Sequence, residues 1–420
     1  MTEIDIDIDA IDYFRTKDLY DDPYPYFEEV RTRCPVTQEP FQHVFMITGY
    51  DEAIAAYHDQ ATFSNCNSAI GPFAKFPVPL EGDDISDIIE TYRGELPFGD
   101  QLPAFDPPKH TAQRGLLMRL ITPKRLKENE EFMRVLADRQ IDSFHGQGEC
   151  EYMSQYAGPY TLLVVADLLG VPEEDRPEFL EKLMHREHLS LEHSPLSYLW
   201  DQFTTYIEDC RAAPRDDVMT GLALATFPDG TLPPVEDVMK IAANLFAAGQ
   251  ETTARLLSSA LKTIGDRPEI QQQLRDNREL VPVFIEEMLR LESPIKGTFR
   301  LAKMATTIAG TEIPAGSTVM VLPSAANRDP REFESPDELR LDRKNARQHI
   351  AFGHGIHTCA GAPLARAEAV VSVQRLLDRT QDIRISEVHH GVAGDRHWQY
   401  SPTWMLRGLD ELHLEFTPVG

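Results

Sequence analysis

Long apolar runs are missing from this chain of 420 residues. No stretch of about 18 apolar residues occurs, so we expect no transmembrane helix. The first residues, MTEIDIDID, lack the basic start and apolar core of a secretory signal peptide. Basic residues are scarce, with 41 Lys and Arg against 68 Asp and Glu. The net charge of −27 argues against binding to nucleic acid or to an anionic membrane. Because a signal peptide and a transmembrane helix are both lacking, we expect a cytoplasmic protein.

Cysteine is also scarce, and its five copies are widely spaced and odd in number: Cys34, Cys66, Cys150, Cys210 and Cys359. This pattern excludes a disulfide-rich framework and indicates a reducing compartment. One of the five, Cys359, lies in the most specific segment of the chain.

Residues 352–361 read FGHGIHTCAG. The two glycines ahead of the thiol free the backbone to turn tightly. Ala360 to Leu377 is predicted to be a helix, with Pro363 in its first turn. A cysteine at a helix N-terminus meets exposed N–H groups and the positive end of the helix dipole, which favour the thiolate. Such a thiolate is a candidate ligand for haem iron.

Two other interpretations of this segment exist. Cys359 could be an inert thiol, as most free cysteines are. His354, His357 and Cys359 could instead bind zinc, but a closed zinc site normally needs four ligands, usually with a second pair downstream. The histidines that follow lie in a stretch without clear structure and near the C-terminus: His389, His390, His397 and His413.

A long amphipathic helix is predicted from about Val235 to Ile264. In its middle, residues 248–253 read AGQETT, which sets an acid, Glu251, beside an alcohol, Thr252. Gly249 would let another surface approach closely. Taken alone, the helix could be a core helix that tolerates two threonines and an exposed glutamate.

Most of the chain after residue 110 has helical spacing, and strand-like pieces are few. Residues 66–105 are rich in Pro, Gly and Asp, and we expect a mobile loop with a short helix there. No repeat or linker interrupts the chain, so residues 1–420 are predicted to form one large, mainly α domain with small sheets. The other predicted helices are 114–120, 128–144, 160–169, 177–183 and 196–210, and the predicted strands are 44–48, 307–321 (with a turn at 314–316) and 412–416.

Residues 352–361 resemble the haem-binding signature of the cytochrome P450 family, FGxGxHxCxG, with every specified position matched. Residues 248–253 resemble the oxygen-activation motif of the same family. The resemblance implies the cytochrome P450 fold, with haem b between the long helix and the cysteine loop and Cys359 as the iron ligand. It also implies that Thr252 and Glu251 deliver protons while dioxygen is cleaved, with Glu251 replacing a more usual Asp. Further residues implied to contact the haem are Ala248, Gly249, Phe352 and Gly361.

Residues 287–290 resemble the Glu-x-x-Arg pair of the family, which structures the cysteine-bearing segment. On spacing alone, Glu286 and Glu287 are equally good partners for Arg290. The resemblance selects Glu287. The family usually adds a downstream Arg or His, but Glu338 occupies the matching place here, so the third member is not identified.

Cations for the two haem propionates are implied at three places. Residues 106–114, DPPKHTAQR, resemble the segment in which His110 and Arg114 reach the propionates. Arg300 matches a strand-borne arginine, and His357 lies within the cysteine signature. Residues 404–409 resemble the terminal hairpin that enters the substrate pocket.

The resemblance implies a monooxygenase that hydroxylates an apolar, small to medium substrate with O2. Terpenoid, steroid and aromatic compounds all fit. Besides the 66–105 loop, the implied pocket residues are Ala248, Gly249, Thr252, Ile295, Lys296, Gly297, Thr298 and Thr403.

No flavin- or nicotinamide-binding segment is visible, so we expect two electrons from a ferredoxin-type partner with a separate NAD(P)H reductase. Its docking face would be the proximal one, near two local basic clusters. Two alternatives remain: a peroxide-driven peroxygenase or isomerase, and a non-catalytic haem sensor or carrier. The basic residues are Arg114, Arg119, Lys124, Arg125, Lys127, Arg343, Lys344 and Arg347.

Overall fold

A computed structural model describes residues 7–184 and 195–419. The chain divides into two compact units, each built from separate stretches of sequence. Unit 1 comprises residues 1–110, 286–359 and 400–407, and unit 2 comprises residues 111–285, 360–399 and 408–420.

Helices dominate the described residues. Their bounds are α1 Asp18–Asp21, α2 Tyr24–Arg33, α3 Tyr50–His58, α4 Ser86–Tyr92, α5 Lys109–Leu117, α6 Pro123–Asp142, α7 Gly158–Leu169, α8 Arg176–Met184, α9 Pro195–Ala212, α10 Val218–Ala223, α11 Val235–Asp266, α12 Pro268–Asp276, α13 Val281–Leu291, α14 Pro323–Ala326, α15 Ala362–Arg379 and α16 Glu387–His390. None of these helices is both long enough and apolar enough to cross a membrane.

The strands are short. Their bounds are β1 Val36–Gln38, β2 Phe45–Ile47, β3 Phe63–Ser64, β4 Glu149–Glu151, β5 Thr298–Ala302, β6 Thr306–Ile308, β7 Thr311–Ile313, β8 Thr318–Val321, β9 Thr380–Ile385 and β10 His413–Pro418. Unit 1 holds a five-stranded sheet of order β1-β2-β8-β5-β3 and the β6-β7 hairpin. Unit 2 holds a three-stranded sheet of order β4-β10-β9.

Helix α11 forms the centre of unit 2, where it packs against α7, α9 and α15. Most of its 32 residues are buried, because an apolar stripe of helical period continues through the helix. Close packing is visible at Gly249, where an added Cβ would lie 2.9 Å from a methyl group of Val165 on α7. The expected role of Gly249 in close approach is therefore confirmed.

The predicted helices and strands exist, with shifted ends. The helix expected at 114–120 begins earlier, at Lys109, and the helix expected from Ala360 begins at Ala362. The strand-like piece expected at 307–321 forms three short strands, β6 to β8: the expected turn at 314–316 is confirmed, and a second tight turn at 309–310 was not expected. No regular hairpin forms at 404–409.

The 66–105 segment contains the expected short helix, α4, and three 3-10 turns. It also has an apolar centre, because Cys66, Ile85 and Ile89 are buried against Leu301 of β5. Mobility of this segment stays a prediction.

Candidate functional site

The cysteine loop of unit 1 has a shape that depends on its glycines. Gly353 and Gly355 adopt φ values of 67° and 72°, in the left-handed region that favours glycine. An added Cβ at Gly355 would lie only 2.6 Å from the carbonyl oxygen of Tyr57. The backbone N–H of Cys359 donates to the carbonyl oxygen of Phe352 at 2.8 Å, which closes the loop. The Cys359 side chain at its end is exposed.

Two of the predicted propionate donors lie together in unit 1. The rings of His110, on α5, and His357, in the cysteine loop, have centroids 4.0 Å apart. His110 is buried. Arg114 follows His110 by one helical turn on α5 and is half-buried. The histidine pair therefore joins the cysteine loop to the start of α5.

Arg300, on β5, is a third predicted donor and is buried. Its guanidinium donates to the carbonyl oxygen of Phe299 at 2.6 Å and lies 5.3 Å from the ring centre of Tyr57. Burial lowers the pKa of Arg300, which the nearby Tyr57 and Asp106 partly oppose. No carboxylate within the described part of the chain forms an ion pair with it, and a buried cation of this kind favours an anionic partner.

These groups test whether unit 1 fits the expected haem. An exposed thiol on a rigid loop can ligate iron, and two imidazoles with a buried guanidinium can bind carboxylates. The donor set is therefore the one that an iron porphyrin with two propionates requires. The residues fit the group.

Unit 2 carries the acid–alcohol pair. Residues 247–252 in the middle of α11 are partly or fully exposed, although the helix is mostly buried on either side of them. The Thr252 hydroxyl donates to the carbonyl oxygen of Ala248 at 2.8 Å, one turn earlier on the same helix. This bond fixes the Thr252 rotamer and leaves the hydroxyl oxygen able to accept a further hydrogen bond.

Glu251 has a partner that the sequence analysis missed. Arg255 Nη2 lies 2.5 Å from Glu251 Oε1, one turn along α11. The Arg255 side chain is only 5% exposed, and its Nη1 is 3.8 Å from Asp410 Oδ1. All three residues line one cavity of unit 2. The spacing of four between acid and base was a visible signal for the pair, but the contact with Asp410 was not.

The Glu-x-x-Arg pair is buried in unit 1. Arg290 Nε lies 2.7 Å from Glu287 Oε1, and both side chains are fully buried. Arg343 is the third member that the sequence did not identify, since its Nε lies 3.0 Å from the same oxygen. Glu338 takes part through its backbone, because its carbonyl oxygen accepts from both arginines. Glu286, the alternative on spacing, bonds His349 instead.

The finding for Arg343 corrects its assignment to a surface basic cluster. Its side chain is 3% exposed, because the buried carboxylate of Glu287 draws it inward. Arg125 is also partly buried and donates to the carbonyl oxygen of Leu168. The remaining cluster residues that are exposed are Arg119, Lys124, Lys127, Lys344 and Arg347.

Four of the pocket residues predicted in unit 1, Ile295 to Thr298, are consecutive in the chain. The N–H of Lys296 donates to the carbonyl oxygen of Met405 at 2.7 Å, so the 294–296 segment pairs with the chain near Thr403. The hydroxyl groups of Thr298 and Tyr57 lie 3.1 Å apart. Lys296 is fully buried, with its ammonium 5.5 Å from the ring centre of Tyr20. Among its neighbours, Ile295 is partly exposed and Gly297 is buried.

Comparison with known proteins agrees with the site. A family model described as "Cytochrome P450" matches residues 201–381. Cytochrome P450 144 of Mycobacterium tuberculosis is 35% identical over 422 aligned residues, covering 97% of this chain and 91% of the relative. The monooxygenase PikC of Streptomyces venezuelae is 29% identical, covering 95% and 92%.

Solved structures give the same result. Substrate-free CYP150A6 of Mycobacterium marinum matches with a TM-score of 0.94 and 52% identity, covering 98% of this chain and all of the other. CYP109E1 of Bacillus megaterium in complex with corticosterone matches with a TM-score of 0.80 and 27% identity, covering 95% and 99%.

Proposed function

The chain belongs to the cytochrome P450 family, and from this premise we propose that it hydroxylates an apolar substrate with electrons from a separate ferredoxin-type protein. The family consists of haem b enzymes with monooxygenase activity. When bound, haem b supplies the iron at which dioxygen is reduced and cleaved. What this chain adds is the thiolate, the anchoring cations, the proton donors and the substrate pocket.

The exposed thiol of Cys359 on its glycine-shaped loop is the observation that carries the proposal. Cys359 would ligate the iron, with Phe352 and Gly361 flanking it in the same signature. His110, Arg114, Arg300 and His357 would hold the propionates through charge-assisted hydrogen bonds.

Thr252 and Glu251 would move protons to the reaction. While its proton is donated to the carbonyl oxygen of Ala248, the Thr252 hydroxyl oxygen can accept a hydrogen bond and so hold a water molecule in line, and a change of hydroxyl orientation would let it donate that proton instead. Glu251 lines a cavity with Arg255, so its carboxylate can exchange protons with water there. Arg255 would keep Glu251 turned toward this cavity between proton transfers.

An apolar substrate of small to medium size would contact Ala248, Gly249 and Thr252 in unit 2. Ile295 to Thr298 and Thr403 are the pocket residues that the family resemblance implies in unit 1. Four of these eight residues are Ala, Gly or Ile and four are Thr or Lys, so they would offer apolar contact together with a few polar groups. Among the expected classes, steroids are favoured, because the similar protein CYP109E1 has been solved with corticosterone and with testosterone.

The electron donor would be an acidic ferredoxin that docks on local basic residues. Lys344 and Arg347 are exposed in unit 1, and Arg119, Lys124 and Lys127 are exposed in unit 2. On a chain with a net charge of −27, such local basic residues would attract an acidic partner.

Reconstitution tests this function. Compounds from an apolar library that shift the spin state of the purified protein are incubated with NADPH, ferredoxin reductase and ferredoxin. We expect a hydroxylated product whose formation depends on all three. Product formed equally well from hydrogen peroxide alone would favour a peroxygenase, and no turnover of any spin-shifting compound would favour a sensor or carrier.

A further inference from the structure

A cluster of two histidines and a glutamate lies in unit 2, away from the cysteine loop in sequence. His413 begins β10, the central strand of the β4-β10-β9 sheet, and Glu411 precedes it by two residues. Residues two apart on an extended chain face the same side. His413 Nε2 and Glu411 Oε1 lie 2.6 Å apart.

The third member is His389, on the short helix α16 that follows β9. Its ring stacks on that of His413, with centroids 3.6 Å apart and planes 6° apart. One ligand atom from each of His389, Glu411 and His413 lies within 4.8 Å of the other two. His389 is exposed, and the side chains of His413 and Glu411 are 20% and 45% exposed.

Hydrogen bonds from neighbouring segments fix the backbone around the cluster. The N–H of His413 donates to Nε2 of His390 at 2.9 Å, and its carbonyl oxygen accepts from the N–H of Ser386 at 3.0 Å. The N–H of Leu412 donates to Glu151 Oε1 at 2.9 Å. His413, at the start of β10, and Glu411, two residues before it, are thus presented from a backbone that hydrogen bonds fix.

We propose that His389, Glu411 and His413 form a binding site for a divalent transition metal ion of the zinc type. Two imidazoles and one carboxylate are a known zinc ligand set, with a fourth position left for water. Ligand atoms of a tetrahedral zinc site lie roughly 3.3 Å apart, so the His413–Glu411 pair must widen only slightly. Since all three ligand atoms lie within 4.8 Å of one another, the exposed His389 side chain must move by at most about 1.5 Å to complete the set.

The surroundings favour a cation. Glu149 and Glu151 of β4 line the cavity in which His389 and His413 lie. Imidazole ligands select zinc, copper, nickel or cobalt over magnesium and calcium, which prefer oxygen. A bound ion would join α16 to β10, so metal should raise the thermal stability of the protein.

Zinc titration of the haem-loaded protein tests the site, because Cys359 is then engaged by iron. After treatment with a chelator, wild-type protein is titrated with Zn²⁺ by calorimetry, and its melting temperature is measured with and without Zn²⁺. We expect one equivalent to bind and the melting temperature to rise. His389→Ala and Glu411→Gln should each weaken binding by roughly 100-fold or more and abolish the rise.

His43→Asn is the matched control, because it removes an exposed histidine elsewhere and Asn tolerates the positive φ of that position. It should bind Zn²⁺ as the wild type does. Both test variants change exposed or partly exposed side chains, and unchanged haem absorption verifies that they fold. No zinc binding by the wild type, or undiminished binding by His389→Ala and Glu411→Gln, would overturn the proposal.

Discussion

Arg255 holds Glu251 by an ion pair of 2.5 Å between Nη2 and Oε1, one turn apart on α11. Arg255 is nearly buried and also approaches Asp410, whereas Glu251 is partly exposed to the same cavity. The proposed proton donor is therefore tethered at one oxygen and reachable by water. This arrangement leads to the first prediction.

Glu251→Gln should slow product formation by at least about tenfold, because the amide keeps the size of the side chain but cannot relay a proton. The measurement is the turnover rate in H2O and in D2O, and the solvent isotope effect should rise in the variant. Glu236→Gln is the control, since it breaks another ion pair of the same spacing on α11, with Lys240. Equal rates for wild type and Glu251→Gln would show that protons reach the reaction by another route.

Thr252→Ala should retain haem and substrate binding but divert reducing equivalents to hydrogen peroxide. The variant removes the hydroxyl that bonds the carbonyl oxygen of Ala248. Thr263→Ala is a matched control, because Thr263 makes the same bond one turn back, to Ser259, on the same helix. The ratio of product to NADPH consumed is measured, and a ratio in Thr252→Ala equal to that of the control would refute the proposed role.

Gly355→Ala should weaken haem retention and destabilise the protein by more than the ~1–3 kcal/mol expected for backbone strain alone. The added Cβ would meet the carbonyl oxygen of Tyr57 as well as impose an unfavourable φ. Gly310→Ala separates the two effects, because Gly310 also has a positive φ but nothing within 4 Å of its added Cβ. Denaturant unfolding and haem transfer to apomyoglobin give the comparison, and equal losses in the two variants would contradict the steric argument.

Glu287→Gln should destabilise the protein by about 3–5 kcal/mol, because it leaves two buried arginines without their carboxylate. Glu128→Gln, which breaks an exposed pair with Lys124, should cost below about 1 kcal/mol. The free energy of unfolding in urea is the measurement.

Replacing Glu287 should also change how the stability of the protein depends on pH. Burial raises the pKa of Glu287, but hydrogen bonds and charge from Arg290 and Arg343 outweigh this and hold it below 4.5. A carboxyl whose pKa is lower in the folded state stabilises the fold above its unfolded pKa, and this stability is lost as the pH falls through the folded pKa. The stability difference between wild type and Glu287→Gln should therefore be constant above about pH 5.5 and shrink in more acidic solution. A constant difference down to pH 3 would contradict the assignment.

The sequence predicted what depends on neighbouring residues. The cysteine loop, the long helix and the 287–290 pair are local patterns, because glycine positions, helical period and spacing determine them. Element ends were less accurate, as at α5 and α15, since capping and packing set them.

Contacts between distant residues were not predictable in this way. Arg343 lies 56 residues after Glu287, and only the fold places it on that carboxylate. His389 and His413 belong to segments that looked unrelated, and the pairing of β9 with β10 brings them together. A single sequence contains no signal for such contacts.

The ligation of iron by Cys359 is tested most directly by the absorption spectrum of the reduced, carbon monoxide-treated protein. Wild type and Cys34→Ser should both show the strongly red-shifted Soret band of thiolate coordination, whereas Cys359→Ser should lack it while remaining folded. A wild-type protein that is folded and loaded with haem but lacks that band, or a Cys359→Ser variant that keeps it, would contradict the account.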